Sequence, residues 1–251
     1  MKPQKITKNS LKLINFQASI GQKTIVKDIN FEIASGQLHV LIGPNGSGKS
    51  SLILAIAGYS KYKTQGKILL NNSNLATKPA DLRVKLGLMV TFQNPAGVKG
   101  VTIKNLLKTA YREIYPQEKI DLSNFYQNLT NESHKLKINP SLLKRELNVD
   151  FSGGEKKLME LLSVITLKPN FVLFDEIDTG LDIDALKLMA DQIAKLQKMG
   201  IGILLVTHQL KLVKLLSFQK LYLMKTGSIV AKGKTELLEK ITQTGFENLK
   251  V

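Results

Sequence analysis

The chain contains no cysteine. That excludes disulfides, zinc–thiolate sites and any iron–sulfur cluster ligated by thiolates of this chain alone. Arginine is nearly as scarce. Of 36 basic residues only Arg83, Arg112 and Arg145 are arginine, which leaves 33 lysines against 20 acidic residues. The net charge of +16 admits two readings: a surface for nucleic acid, an acidic membrane or an acidic partner, or a compositional bias. Arginine is the residue that reads phosphates and guanine edges in bidentate fashion. The lysines are spread along the chain and not gathered into a patch, so bias is preferred and nucleic acid is not expected as a partner. No apolar run approaches the roughly 18 residues of a membrane helix. The stretch Met1 to Ser10 is polar and basic without an apolar centre, so it is not read as a secretory signal. The expected location is the cytoplasm, with an organelle stroma left open. Internal repeats and low-complexity tracts are also absent.

What is present is a chain of 251 residues, 43% hydrophobic, a length and composition that suit one globular domain or one domain with a large insertion. Residues 11 to 42 read as short strands, Leu11 to Ile20, Thr24 to Lys27, Asn30 to Ile33 and Gln37 to Ile42, punctuated by turns at Ile20-Gly21-Gln22 and Ala34-Ser35-Gly36. A helical pattern runs from Ser51 to Ala57, followed by strands at Lys67 to Leu70 and Leu86 to Phe92. From about Pro95 to Lys168 the pattern is mostly helical, with apolar residues at helical spacing over Ile103 to Ile114, Ser123 to Leu136 and Glu155 to Leu167. The polar stretch Thr130 to Lys137 reads as a loop or a solvated helix end. Then follow a buried strand (Phe171 to Phe174), a helix (Ile183 to Lys198), a strand (Ile201 to Val206), a helix, a strand pair (Lys220 to Met224 and Ser228 to Ala231) and a last helix. Alternating strands and helices predict a mostly parallel sheet covered on both faces. The expected division is an α/β core over residues 1–94 and 169–251, β-rich at its N-terminal end, with an inserted helical subdomain over 95–168.

The most specific segment is Gly43-Pro44-Asn45-Gly46-Ser47-Gly48-Lys49-Ser50, a complete G-x-x-x-x-G-K-S phosphate loop. It follows the apolar run ending at Ile42 and opens the helix containing Ser51, the context that such a loop requires. Glycines let backbone N–H groups curl around phosphates, and the helix N-terminus adds positive potential. Lys49 is expected to reach the β- and γ-phosphates and Ser50 to reach Mg²⁺. The ligand implied is a nucleoside triphosphate with Mg²⁺. Phe171-Val172-Leu173-Phe174-Asp175-Glu176 is an apolar strand ending in two acids. Asp175 is positioned to hold Mg²⁺ directly or through water, and Glu176 to polarise an attacking water. Phe151-Ser152-Gly153-Gly154-Glu155 opens another helix with a second anion-ready N-terminus. On its own, Ser-Gly-Gly at a helix start is an ordinary cap. With a phosphate loop in the same chain it suggests a head-to-tail dimer in which each loop faces the Ser-Gly-Gly of the other copy.

The order of these segments carries a resemblance. Phosphate loop, Gln93 after an apolar strand, S-G-G-E, acidic strand end and a late Thr207-His208 occur in this order in ATP-binding-cassette (ABC) ATPases, which the chain resembles over essentially its whole length. The resemblance implies the α/β P-loop fold of an ABC ATPase and ATP hydrolysis. It makes Gln93 the Q-loop residue that contacts Mg²⁺ and the attacking water, and Ser152 to Glu155 the signature motif. Gly180-Leu181-Asp182 becomes the D-loop crossing a dimer interface, and His208 the switch histidine on the γ-phosphate. Lys49, Gln93, Glu176 and His208 are then the catalytic set. His39, in an apolar strand, reads as a core residue and His134 as a solvated one. Ile20 falls where such ATPases often stack adenine on an aromatic ring, which puts base selectivity and nucleotide affinity in question.

Segments between the motifs narrow the resemblance. Ala57-Gly58-Tyr59-Ser60-Lys61-Tyr62, Val90-Thr91-Phe92-Gln93-Asn94-Pro95 before Gly100-Val101, Asn139-Pro140-Ser141 and Arg145-Glu146-Leu147-Asn148 leading into Phe151-Ser-Gly-Gly-Glu-Lys-Lys157 are similar to the SufC family. So are Asp175 to Leu186, where most transporter ATPases have E-P-T, and the Gly245-Phe246 ending. These are soluble ATPases of the Suf iron–sulfur cluster assembly machinery. Leu158 and Met159 depart from that family's usual Arg and polar residue, a change expected to alter the helix surface. The resemblance implies a SufB-like scaffold, with or without a SufD-like one, as partner and an ATP-dependent self-dimer. A chain without cysteine leaves thiolate ligation of a cluster to such a partner. The alternative is the nucleotide-binding subunit of a membrane transporter, which shares every ATP motif. A nucleic-acid-associated ABC protein fits less well, since such proteins carry two cassettes or a long coiled-coil insertion.

Overall fold

A computed structural model describes residues 9–246. All but the end of the basic stretch read at Met1 to Ser10 lies outside the described residues. In chain order the elements are β1 (Ser10–Ile20), β2 (Lys23–Ala34), β3 (Leu38–Ile42), α1 (Lys49–Ala57), β4 (Lys63–Leu70), β5 (Ser73–Asn74), α2 (Ala80–Lys85), β6 (Leu88–Val90), β7 (Val98–Thr102), α3 (Ile103–Ile114) and α4 (Leu122–Lys135). A 3₁₀ turn (Pro140–Lys144) follows, then β8 (Glu146–Leu147), α5 (Gly153–Leu167), β9 (Phe171–Asp175), α6 (Ile183–Lys198), β10 (Gly202–Val206), α7 (Leu210–Lys214), β11 (Lys220–Lys225), β12 (Ser228–Gly233) and α8 (Thr235–Thr244).

The central sheet has the order β12-β11-β3-β10-β9-β6, parallel except for the antiparallel edge strand β12. β3, β9 and β10 are buried along their whole length, as strands covered on both faces must be. On one face Leu41, Leu173, Leu204 and Val206 join Leu52, Ile53 and Ile56 of α1 and Leu11, Leu13 and Phe16 of the antiparallel sheet β2-β1-β4-β5. On the other face Val172, Phe174, Ile203 and Leu205 pack on Leu161, Leu162 and Val164 of α5 and on Met189 and Ile193 of α6. Val40, Ile42, Leu221 and Leu223 form a third cluster with Leu237, Leu238 and Ile241 of α8. The register puts Asp175 beside Val206 and Val206 beside Leu41, while Val90 lies beside Leu173. The residues that follow β3, β6, β9 and β10 therefore leave the same carboxyl edge, where ligands of open α/β sheets bind.

Four expectations are corrected. The strands read at Thr24 to Lys27 and Asn30 to Ile33 are one strand, β2. Asp28 and Asn15 adopt left-handed φ values of 45° and 48° and absorb the irregularity, with Asn15 N–H donating to Asn30 Oδ1 and the Asn30 amide donating to Asp28. The strand read at Leu86 to Phe92 shrinks to β6, because the turn at Leu86 and Gly87 that ends α2 occupies its start. Thr130 to Lys137 is neither loop nor fully solvated: α4 continues to Lys135, and Ser133 and Leu136 are buried. Its hydroxyls are satisfied inside the helix, Thr130 donating to Tyr126 O and Ser133 to Thr130 O, so polarity at these positions does not oppose burial. Met159 does not alter the helix surface, since it is core, and Leu158 packs against the same cluster.

Candidate active site

The phosphate loop runs from β3 into α1. Gly43 passes so close to β11 that a Cβ there would lie 2.2 Å from Met224 O, and Gly48 enters the helix at φ 102°. Both positions need glycine for a stated reason, contact in one case and handedness in the other. Among the described residues Ser47 Oγ is buried without a hydrogen-bond partner, and Lys49, 5% exposed, forms no ion pair. Its ammonium instead donates to the carbonyls of Gly43 (2.9 Å) and Pro44 (3.0 Å). Burial holds the Lys49 amine below its usual range, partly offset by the fields of Glu176 and Asp175. A cation folded on its own loop beside a buried hydroxyl with no protein partner is a donor set that fits a polyphosphate.

The acids follow β9. Asp175 is 3% exposed and accepts from Ser50 Oγ at 3.2 Å. Burial pushes its carboxyl up to about 6, against the opposing Ser50 hydrogen bond. A hydroxyl and a carboxylate converging beside the phosphate cradle are a hard-oxygen pair suited to Mg²⁺. Glu176 has a left-handed φ of 50° and donates its N–H to Val206 O, a strained position of the kind found at functional sites. Its two carboxylate oxygens are shared: Gln93 Nε2 donates to Oε2 at 2.6 Å, and His208 Nδ1 lies 3.2 Å from Oε1. Thus Lys49, Ser50, Asp175, Glu176, Gln93 and His208, scattered over the sequence, converge at one sheet edge. Gln93 is drawn to Glu176, and among the described residues its side chain is hydrogen-bonded to that carboxylate.

A family model described as ABC transporter matches residues 26–179. The chain belongs to the ABC transporter ATPase family. It is an ABC-type ATPase with the α/β P-loop fold of that family. Among curated relatives, "Vegetative protein 296" of Bacillus subtilis (strain 168) is 34% identical over 244 residues, covering 96% of this chain and 94% of the relative. "Probable ATP-dependent transporter ycf16" of Antithamnion sp. is 35% identical over 243 residues, covering 95% and 97%. Among solved structures, an ATP-binding cassette in a dimeric post-hydrolysis state bound to ADP and Pi superposes with a TM-score of 0.76 at 18% identity, covering 89% of this chain and 98% of that one. At that identity it speaks to the fold.

The segment Ser152 to Glu155, expected as the signature motif, bonds within itself. Ser152 caps α5 in a reciprocal box: its Oγ accepts from Glu155 N (3.2 Å), and its N–H donates to Glu155 Oε2 (2.8 Å). The Ser152 N–H, and after it the Ser152 hydroxyl, hold the Glu155 carboxyl below its usual range. Ser152 and Gly153 are exposed, and a Cβ at Gly153 would meet nothing. Asp182 caps α6 by accepting from Ala185 N at 2.8 Å. Ile20 ends β1, 40% exposed. His39 is fully buried, its imidazole driven down to about 4 by burial and by Lys220, with Tyr222 at 3.3 Å from Nδ1; His134 is exposed.

Several contacts around the site escaped sequence reading. Thr207 Oγ1 donates to the fully buried Asp178 at 2.6 Å and accepts from Gln209 N, fixing the turn that carries His208. Thr91 Oγ1 accepts from Asp175 N. On α5, Lys157 and Glu160 reach the backbone of Phe92 and Gln93, and burial pushes the Glu160 carboxyl up to about 7. The only sequence signal was a charged residue at an inward helical position, Lys157 and Glu160 being three apart on the α5 face that carries Leu161 and Val164.

Proposed function

We propose that this ATPase hydrolyses MgATP at the edge of the central sheet and uses a head-to-tail dimer to reshape a scaffold on which iron–sulfur clusters are assembled. The observation that carries the chemistry is the Gln93–Glu176–His208 cluster beside Lys49 and Asp175. Lys49 leaves the carbonyls of Gly43 and Pro44 for the β- and γ-phosphates, exchanging two neutral acceptors for charged ones. Gly43 to Ser51 supply the loop and helix N-terminus that cradle the phosphates. Ser50 and Asp175, with Gln93, would hold Mg²⁺, which when bound neutralises charge on the phosphate oxygens. Glu176 orients and deprotonates the water attacking the γ-phosphate, and Gln93 fixes the carboxylate that accepts the proton. His208 serves the γ-phosphate end. Ser152, Gly153 and Gly154 act on the other copy's nucleotide, which agrees with a capped and exposed helix N-terminus. The solved dimeric cassette bound to ADP and Pi is consistent with this arrangement. Asp182 and the rest of the D-loop belong to the same interface.

The scaffold reading is supported by the SufC-like segments around the motifs and by a surface feature. Tyr59 and Phe92 are exposed and stacked edge to face at 6.1 Å, next to Gln93. Exposed aromatics of this kind are anchors for protein partners. The chain has no cysteine, so the partner, SufB-like with or without a SufD-like companion, supplies the thiolates. The test is recovery of the tagged chain from its own cell, with the partner identified by mass spectrometry. A soluble β-rich scaffold supports the reading; an integral membrane protein overturns it in favour of a transporter subunit. That second reading draws on the relative described as a probable ATP-dependent transporter. Among the described residues no helix is long and apolar enough to cross a membrane.

A further inference from the structure

The signature helix and the Q-loop are bolted together by two buried ionisable side chains. Glu160 Oε1 accepts the Phe92 N–H at 2.5 Å. Lys157 Nζ donates to the carbonyls of Phe92 (2.9 Å) and Gln93 (2.5 Å). Side chains of Lys157 and Glu160 are 5% and 10% exposed and 3.9 Å apart. That separation is an ion pair without a hydrogen bond, and among the described residues Glu160 Oε2 has no hydrogen-bond partner. Both side chains thus spend their hydrogen bonds on the main chain of the two residues that end in the Gln93 side chain. A packed Leu or Met at either position would fill the same space without desolvating a charge. The contacts are directional, and they fix Phe92–Gln93 relative to α5 in three bonds.

The same helix begins with Ser152. Lys157 is five residues on, about 7.5 Å along a rigid helix. One end of α5 therefore carries the group that serves the partner's nucleotide, and its body grips the loop that serves this chain's own nucleotide. We propose that Glu160, assisted by Lys157, is a positioning residue that keeps the Q-loop in register with the signature helix, so that engagement of Ser152 at one ATP site sets Gln93 at the other. The inference rests on the dimer reading given above. It makes the two sites a coupled pair through a contiguous physical link, with Gln93 delivered to Glu176 only when α5 is seated.

Glu160→Ala and Glu160→Gln are compared with wild type for steady-state turnover over a range of MgATP, for affinity toward a fluorescent ATP analogue with Mg²⁺ withheld, and for thermal unfolding. Wild type should depend sigmoidally on ATP. Glu160→Ala should lower kcat roughly ten- to a hundredfold, the scale of misplacing a reacting group by about an ångström. It should also lose the sigmoidal dependence and keep its nucleotide affinity. Glu160→Gln retains an acceptor for the Phe92 N–H and should restore most of kcat. Wild-type turnover and cooperativity in Glu160→Ala would overturn the proposal. So would loss of nucleotide affinity in step with kcat, or failure of glutamine to rescue. If Glu160→Ala does not fold, Lys157→Met decides: it should show the same loss of cooperativity, and wild-type kinetics in it refute the clamp. Light scattering of wild type with and without MgATP separates the two claims. Absence of an ATP-dependent dimer removes the dimer reading itself, whereas a dimer whose cooperativity ignores Glu160 and Lys157 removes only the clamp.

Discussion

Replacing Glu176 by glutamine exchanges one oxygen for an amide nitrogen and keeps the shape of the side chain. The amide oxygen can still accept from Gln93, whose Nε2 lies 2.6 Å away, and the new NH₂ can donate to a neutral His208 Nδ1 at 3.2 Å. No buried group need be left unpaired, so the large penalties of truncation do not arise, and the melting temperature should stay close to wild type. What is lost is the proton acceptor. General-base catalysis is worth about 10²–10⁴-fold, so the barrier should rise by roughly 3–5 kcal/mol. The field of Glu176 also raises the Lys49 pKa, and removing that negative charge from beside the phosphate cradle should tighten ATP binding. The variant should therefore bind MgATP, dimerise and stall. Phosphate release at saturating MgATP reports turnover, and sedimentation velocity in the same buffer reports the dimer. Hydrolysis at the wild-type rate would remove Glu176 from its assigned role. Loss of ATP-dependent association alongside loss of turnover would show that the residue is structural.

Other outcomes follow from the same geometry. The Asp175 carboxyl titrates near 6 in the fold and near 3.8 unfolded, so the folded state holds the extra proton and stability falls as pH rises between about 4 and 6. In metal-free protein at pH 7–8 Asp175→Asn should be more stable by on the order of 2–3 kcal/mol, a gain that vanishes below pH 4 in a urea titration, while MgATP turnover is lost. Arg83 is 3% exposed and donates to the carbonyls of Ala55, Ile56, Ala76 and Lys78 around the end of α1. Arg83→Ala leaves those acceptors dry and should cost about 3 kcal/mol or more, read as a shifted urea midpoint. Ile20→Tyr restores a π-face at the end of β1 and should tighten ATP binding by about 1 kcal/mol by calorimetry; no change would show that the base does not sit there.

Local patterns were enough for much of the molecule. The helices read at Ile103 to Ile114 and Ile183 to Lys198 have those ends in the structure, because an apolar stripe at helical spacing is a property of one segment. The phosphate loop was legible for the same reason, since its glycines, lysine and serine are contiguous and their geometry is local. The acids after β9 and the cap at Ser152 were equally plain. The sequence by itself therefore determined the fold class, the ligand chemistry and the candidate residues. Tertiary structure alone decided how those residues meet. Gln93 and Glu176 are 83 residues apart and touch only because β6 and β9 pair in register. β2 is one strand because Asn15, Asp28 and Asn30 bond across a bulge, and β7 with β8 is a ladder between segments too short to show alternation. Lys157, Glu160 and Asp178 look like surface charges in one dimension. Burial and a partner's backbone or hydroxyl give them their meaning, and both depend on contacts distant in sequence.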